Sequence, residues 1–292
     1  MNQVFRVFRE GPTSAVDAGV LPFLRGCGQM LFQPSARTGC VFLAVILWQS
    51  PAALAACLAG ALGSTLCARV LEHPSKAYFD GEGGFNGGLL GLALALFYQP
   101  GGVMLAVVFA GGVLTGVVRV VLRRLLPVPP FTAPFILIAW LGFAASGILG
   151  LVPAQPLSIQ GPLIYAPLTN ASQVLFLLDP RVGALVFVAV LLHSRTSAAW
   201  VGAASAIAWL SAELFRLPPG PGAAGLLGYN ALILAAALEH RSTGIPLAVG
   251  GIVLSVVLAD LLLEASITPL SIPFVVSAWL VIGAEAVLGP KR

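Results

Sequence analysis

Apolar runs, interrupted by charged residues or by proline and glycine, divide the 292-residue chain into twelve segments. The first half reads as a short element near 18–33, then spans near 35–49, 51–71, 84–98, 101–122 and 131–152. The second half reads as a short element near 162–177, then spans near 179–194, 197–213, 222–238, 245–264 and 268–288. The pattern predicts helices throughout, because the runs are long and none alternates at a period of two. Several runs fall short of the ~20 residues of an upright membrane span. One short element plus five spans, repeated once, remains the simplest division, with halves 1–152 and 153–292.

The halves align. LRGCGQMLFQPSARTG (24–39) lies against LTNASQVLFLLDPRVG (168–183) at an offset of 144, repeating Leu24, Gln29, Leu31, Phe32, Arg37 and Gly39 as Leu168, Gln173, Leu175, Phe176, Arg181 and Gly183. At the same offset GGFNGGLLGLAL (83–94) faces LGYNALILAAAL (227–238), pairing Asn86 with Asn230. At an offset of 139, VPPFTAPFILIAWL (128–141) faces ITPLSIPFVVSAWL (267–280), so that Pro130, Pro134, Phe135, Ala139, Trp140 and Leu141 recur. Three matches in one order at a near-constant offset indicate duplication.

Composition places these runs in a bilayer. Hydrophobic residues make up 58% and charged residues only 9%, against about 25% charged in a soluble chain, and the mean hydropathy is +0.97. The 22 prolines and 33 glycines lie within apolar runs, where neighbouring helices can satisfy the backbone they disturb. The N-terminal segment lacks a cleavable signal pattern and reads as a short amphipathic cytoplasmic lead. Five crossings per half would turn the second half upside down, the inverted-repeat plan. With both termini cytoplasmic, Arg6, Arg9, Arg37, Arg69, Lys76, Arg119, Arg123, Arg124, Arg195, Arg241, Lys291 and Arg292 lie inside and only Arg181 and Arg216 outside, as the positive-inside rule requires. The basic residues form no patch interleaved with aromatics, so the net charge of +4 reports topology and not a nucleic-acid partner. Cys27, Cys40, Cys57 and Cys67 have no metal-ligand spacing and read as buried small hydrophobes.

The chemistry within the runs is neutral. An ionisable group at mid-membrane usually marks function, yet His193, Glu213, Asp260, Glu264 and Glu285 fall near predicted helix ends and read as solvated, and His73 and His240 as loop residues. This argues against proton coupling and against acid–base catalysis. No Ser–His or Cys–His pair can be placed at membrane depth, so an enzyme is not expected. What repeats is Thr132 between Pro130 and Pro134, and Ser271 between Pro269 and Pro273. Proline frees the carbonyl one turn back, and such backbone is tolerated at depth only where it is protein-buried or lines a wet cavity. Two broken helices therefore predict carbonyl rows with a hydroxyl on each. The bland alternative is that both hydroxyls bond their own helices. Gln29 and Gln173, each three residues before a phenylalanine, offer uncharged amides beside flat walls. Asn86 and Asn230 read as structural, bonding backbone at a helix start, and Gly83, Gly84, Gly87, Gly88 and Gly91 as sites of close helix approach. A slot of oxygens and apolar walls suits a small, planar, neutral molecule rich in N–H groups. A cation would want acidic rings and an anion arginine or lysine.

The runs LRGCGQMLFQPSARTGCVFL (24–43), GFNGGLLGLAL (84–94), PPFTAPF (129–135), SQVLFLLDP (172–180), GLLGYNALILAAAL (225–238) and PLSIPF (269–274) resemble the urea transporter family, in order and through both halves. The resemblance implies an all-α polytopic membrane protein, two inverted repeats of five transmembrane helices and one re-entrant pore helix around a central pore. It implies a homotrimer in the cell inner membrane that passes urea by facilitated diffusion without a cofactor. Carried over by motif, Gln29, Phe32 and Leu89 flank one mouth of the filter, Gln173, Phe176 and Ile233 the other, and Thr132 and Ser271 hold the middle. The chain departs from the family where Ser271 replaces a frequent Thr, Gln173 a frequent Glu and Leu227 a frequent Trp. A channel for other small neutral amides or for ammonia is the alternative.

Overall fold

The computed structural model describes residues 19–155, 162–239, 241 and 243–288; the N-terminal lead and His240 lie outside them. Helix α1 (Leu21–Gly28) runs on through a single 3-10 turn to Leu31. It bends by 72° into α2 (Ala36–Gln49). Then come α3 (Pro51–Glu72), α4 (Lys76–Phe79), α5 (Phe85–Phe97), α6 (Gly102–Leu125) and α7 (Ala133–Ala144). The order recurs as α8 (Ala166–Gln173), α9 (Pro180–His193), α10 (Arg195–Leu214), α11 (Pro219–Ala223), α12 (Tyr229–Leu238), α13 (Ile245–Glu264) and α14 (Ile272–Leu288). Among the described residues the only β pairing is one isolated bridge, Tyr98 with Pro153.

Helix starts follow from local chemistry. Ser50 and Ser194 accept from the backbone N–H of Ala53 and Ser197, at 3.1 Å each, where α3 and α10 begin. Ser35 and Asp179 cap α2 and α9 in the same way. Each cap fills an orphan donor of the first turn.

By length and composition, α3, α6 and α13 can each cross a bilayer, and the bent pair of α1 and α2 makes a fourth candidate. Five more apolar helices have 10–17 residues. Helix α7 is shorter than the expected 131–152, because the chain passes into turns from Ala145 onward. The short helices α4 and α11 were not legible in the hydropathy pattern, since four or five residues are too few to show a period. They hold the short elements in place. Arg25 Nη1 of α1 donates to Phe79 O at 2.8 Å, and Thr169 Oγ1 of α8 donates to Ala223 O at 2.8 Å.

The first half is knit by glycine. A Cβ on Gly87 of α5 would lie 2.1 Å from Gly60 O of α3, and one on Gly91 would lie 2.1 Å from Ala56 O. The expected close approach is therefore made against α3, backbone to backbone. Helix α3 packs against α5 and α6, α10 packs against α12 and α13, and α2 with α9 and α7 with α14 join the halves.

Two expectations are corrected. Cys40 is exposed, while Cys27, Cys57 and Cys67 are buried as expected. Asp260, read as solvated, is 8% exposed, because it sits one turn inside the end of α13 and faces the helices packed on it.

Candidate functional site

The proline-bracketed segments before α7 and α14 break as expected, and they do so through strained backbone. Phe131 and Leu270 have positive φ, 48° and 44°. The last residues of the short elements, Phe32 and Phe176, are also left-handed, with φ of 53° and 57°. Bulky residues in this region cost about 1–3 kcal/mol each and persist only where their surroundings hold them. All four stand at matched positions of the sequence repeat.

Asparagine holds the turns at Phe131 and Leu270, while Phe32 and Phe176 end their short elements in helix C-caps. Asn86 of α5 donates to Phe131 O (3.2 Å) and accepts from Phe135 N–H (3.1 Å). Asn230 of α12 donates to Leu270 O (3.3 Å) and accepts from Phe274 N–H (3.2 Å). Each amide closes one orphan donor and one orphan acceptor of a broken helix, so the structural role expected of them is made across helices. Trp140 Nε1 donates to Thr268 O at 3.2 Å and Trp279 Nε1 donates to Pro129 O at 2.9 Å. Each tryptophan thereby clamps the broken segment of the opposite half.

Asn230→Ala is expected to lower the thermal midpoint of the purified protein, since the buried Phe274 N–H loses its acceptor at about 1–3 kcal/mol, while Leu270 O keeps the Tyr229 hydroxyl. A midpoint equal to wild type, read by intrinsic fluorescence, would show that Asn230 does not support the break.

The carbonyls freed at the break already have protein donors. Besides those named, Pro130 O accepts from Ala133 N–H and Pro269 O from Ile272 N–H. Thr132 O accepts from Ile136 N–H and Ser271 O from Val275 N–H. Leu270 O also accepts from the Tyr229 hydroxyl, and the other oxygens keep a second lone pair.

Thr132 and Ser271 are 1% and 2% exposed. They do not bond their own helices; Ser271 Oγ donates to Thr132 Oγ1 at 2.7 Å. Two hydroxyls carry two hydrogens and four lone pairs. Their mutual bond uses one of each, leaving one hydrogen and three lone pairs.

Aromatic rings stand at matched positions around this pair. Phe32 packs against Phe274 with centroids 5.7 Å apart, and Phe176 against Phe135 at 6.0 Å. Phe32 also meets Phe85 and Phe131 at 5.9 and 5.8 Å, and Phe131 meets Phe274 at 5.2 Å. Leu270 stands where the repeat would place a counterpart of Phe131, and among the described residues ring contacts join four phenylalanines in the cage of Phe32 but only two in that of Phe176.

The amides differ more. Gln29 Nε2 donates to Asp80 O at 3.0 Å, and its side chain lines a cavity of about 510 Å³ together with Phe32, Phe85 and Phe131. Gln173 is 3% exposed, and its Oε1 is buried without a donor among the described residues. Leu89 and Ile233 are each 2% exposed, three residues after Asn86 and Asn230 and so on the same helix face. They line neither this cavity nor the larger one, of about 1020 Å³, that reaches Phe176.

The larger cavity is walled mainly by apolar residues of α5 and of the segment that joins α8 to α9. Its rim carries Gln49, Asp179 and Arg181. Asp179 accepts from Gln49 Nε2 at 2.9 Å and pairs with Arg181, which stacks over Trp48 at 5.2 Å. The hydrogen bonds from Arg181 hold the Asp179 carboxyl below its ordinary range.

Sequence reasoning missed one group at the smaller cavity. Glu82, Arg119 and Arg123 line it. Arg119, assigned to topology alone, is 3% exposed and pairs with Glu72 and with Glu82. The signal was present in the spacing of Arg119 and Arg123, four apart on one face of α6.

The repeated turns, the asparagine clamps and the hydroxyl pair all fall within residues 20–286, which match a family model described as urea transporter. That match spans nearly the whole chain, and the protein belongs to the urea transporter family.

Proposed function

We propose that this protein is a passive channel that conducts urea across the cell inner membrane through a filter lying between two inverted repeats, residues 1–152 and 153–292. The protein works as a homotrimer with both termini in the cytoplasm. Gln29, Phe32 and Leu89 form one mouth, Gln173, Phe176 and Ile233 the other, and Thr132 and Ser271 the middle.

The observation that carries this reading is the buried hydroxyl pair, Ser271 Oγ on Thr132 Oγ1 at 2.7 Å, with a phenyl pair from opposite halves at each matched position. Urea is planar, with one strong acceptor and four N–H groups. The spare hydroxyl hydrogen suits its carbonyl oxygen, and the spare lone pairs suit its N–H groups. The rings hold it flat as it sheds water. The unpartnered Oε1 of Gln173 accepts another N–H, which removes a cost of about 1–3 kcal/mol for a buried acceptor left unmade. Among the described residues no carboxylate or arginine bonds the hydroxyl pair, so ions gain nothing to replace their hydration there.

Conduction requires weak binding. The expected flux saturates in the millimolar range and is not driven by a pH gradient. Stopped-flow osmotic response of proteoliposomes to urea, acetamide, ammonia and glycerol tests this. Urea is expected to permeate well above protein-free liposomes, with glycerol excluded. Urea permeability equal to that of the protein-free control would end the reading, and a preference for ammonia or acetamide would reassign the substrate.

A further inference from the structure

The smaller cavity holds chemistry that a neutral filter does not need. Beside Gln29, Phe32 and Phe131 it is lined by Glu82 from the turn before α5 and by Arg119 and Arg123 from α6. Glu72, at the end of α3, completes the cluster. The inner pair is closed, with Arg119 3% and Glu72 12% exposed and their side chains in contact. The outer pair is open, since Arg123 and Glu82 are 42% and 43% exposed and 3.5 Å apart. That separation exceeds the ~2.7–2.9 Å of a tight charge-assisted bond. Both groups retain hydrogen-bonding capacity toward the cavity. Arg119 Nε is buried with no acceptor among the described residues.

The repeat supplies an internal control. Features that the fold needs occur twice, as with Asn86 and Asn230, Trp140 and Trp279, Phe32 and Phe176. At the 144-residue offset Glu72 and Glu82 become Arg216 and Leu226, and at the offset of 140 that relates α6 to α13 Arg119 and Arg123 become Ala259 and Leu263. The cluster is therefore not demanded by the helix packing, and it serves one mouth only.

We propose that Glu82 and Arg123, braced by Arg119 and Glu72, form a docking subsite for urea in front of Phe32. The guanidinium of Arg123 donates to the urea carbonyl, and the carboxylate of Glu82 accepts from its N–H groups. A molecule held there faces the Phe32 ring and the Gln29 amide before it loses its remaining water. The proposal rests on the channel reading and adds a specificity-determining step at one end of it.

Glu82 faces Arg119 and Arg123 from α6, Glu72 from α3, and Lys76 and Asp80 from α4 and its C-terminal cap. Burial pushes its carboxyl above the ordinary value, Asp80 pushes the same way, and Arg123 and Lys76 oppose them. Protonation removes the charged acceptor, so docking is present above this raised value and is lost as pH falls through it.

The test is urea flux through the reconstituted full chain over a urea concentration series, with equal pH on both sides. Glu82→Gln and Arg123→Gln are each expected to raise the half-saturating urea concentration about 2–5-fold, the scale of a half-exposed ion contact, and to leave the limiting flux unchanged. Acidification should raise the half-saturating concentration of wild type and of Glu82→Asp, but not that of Glu82→Gln. An unchanged half-saturation in both substitutions overturns the subsite. So does a limiting flux that falls together with the thermal midpoint, which would make the cluster only a brace between α3 and α6. Neither result touches the channel reading, which fails separately if wild type shows no urea permeability.

Discussion

Gly183→Ala is expected to abolish most of the folded protein recovered from detergent extracts, and to slow urea flux in what remains. A Cβ at Gly183 would lie 1.8 Å from the carbonyl oxygen of Leu168, where α9 crosses α8. Gly39 stands in the same relation to Leu24 O, at 1.9 Å. The obstacle is backbone, so no side chain can rotate away and the two helices must part. Overpacking ordinarily costs about 1–3 kcal/mol, and a main-chain clash this deep belongs at or above the top of that range. Function should suffer beyond stability, because α8 carries Gln173 and leads into Phe176. Displacing it withdraws both from the proposed filter. Gly250→Ala in α13 is the control, since a Cβ there has open space and alanine favours helix by about 1 kcal/mol. Size-exclusion yield and thermal midpoint read the result. Wild-type recovery of Gly183→Ala would mean that α8 and α9 need not approach this closely.

Thr132→Val should slow urea flux by about 5–150-fold while leaving the protein folded, which corresponds to about 1–3 kcal/mol for a hydrogen-bonding group left without its partner. Valine keeps the shape and removes the hydroxyl. Ser271 then loses the acceptor it now donates to at 2.7 Å, and a passing urea loses one of its partners. Ser271→Ala is expected to be milder, because the Thr132 hydroxyl remains and is freed to turn toward the solute. The double substitution separates bracing from conduction through the coupling term of the cycle. If the hydroxyls serve the solute, the double variant conducts no faster than Thr132→Val. If they only tie the halves together, removing both relieves the unpaired group and flux recovers. Unchanged flux in Thr132→Val would take this residue out of the pathway.

The candidate site was legible to different depths. Gln29, Phe32, Thr132, Gln173, Phe176 and Ser271 stood out because the same side chains recur within matching frames, and frame and identity are properties of the chain alone. Thr132 and Ser271 were expected to sit at matching heights, each on its own helix. Their direct bond was not foreseen, because a contact between residues 139 apart has no local signature. Glu82 was overlooked in a polar turn. Arg119 was counted as an inside charge, since burial depends on what packs around it.

By itself the sequence determined the helical membrane class, the recurring neutral chemistry and the family, because run length, composition and motif order are local and need no partner. Only the tertiary structure decided the backbone that shapes the site. Phe32 and Phe176 are left-handed as helix C-caps, where the next N–H bonds back to Gly28 O or Ser172 O, but no local rule puts Phe131 or Leu270 in that region, where a Cβ clashes with the main chain. Phe131 and Leu270 stay there because Asn86, Asn230, Trp140 and Trp279, all distant in sequence, bond the groups that the broken helices leave open. Strain at those turns is held by packing and hydrogen bonds that exist only once the helices have assembled.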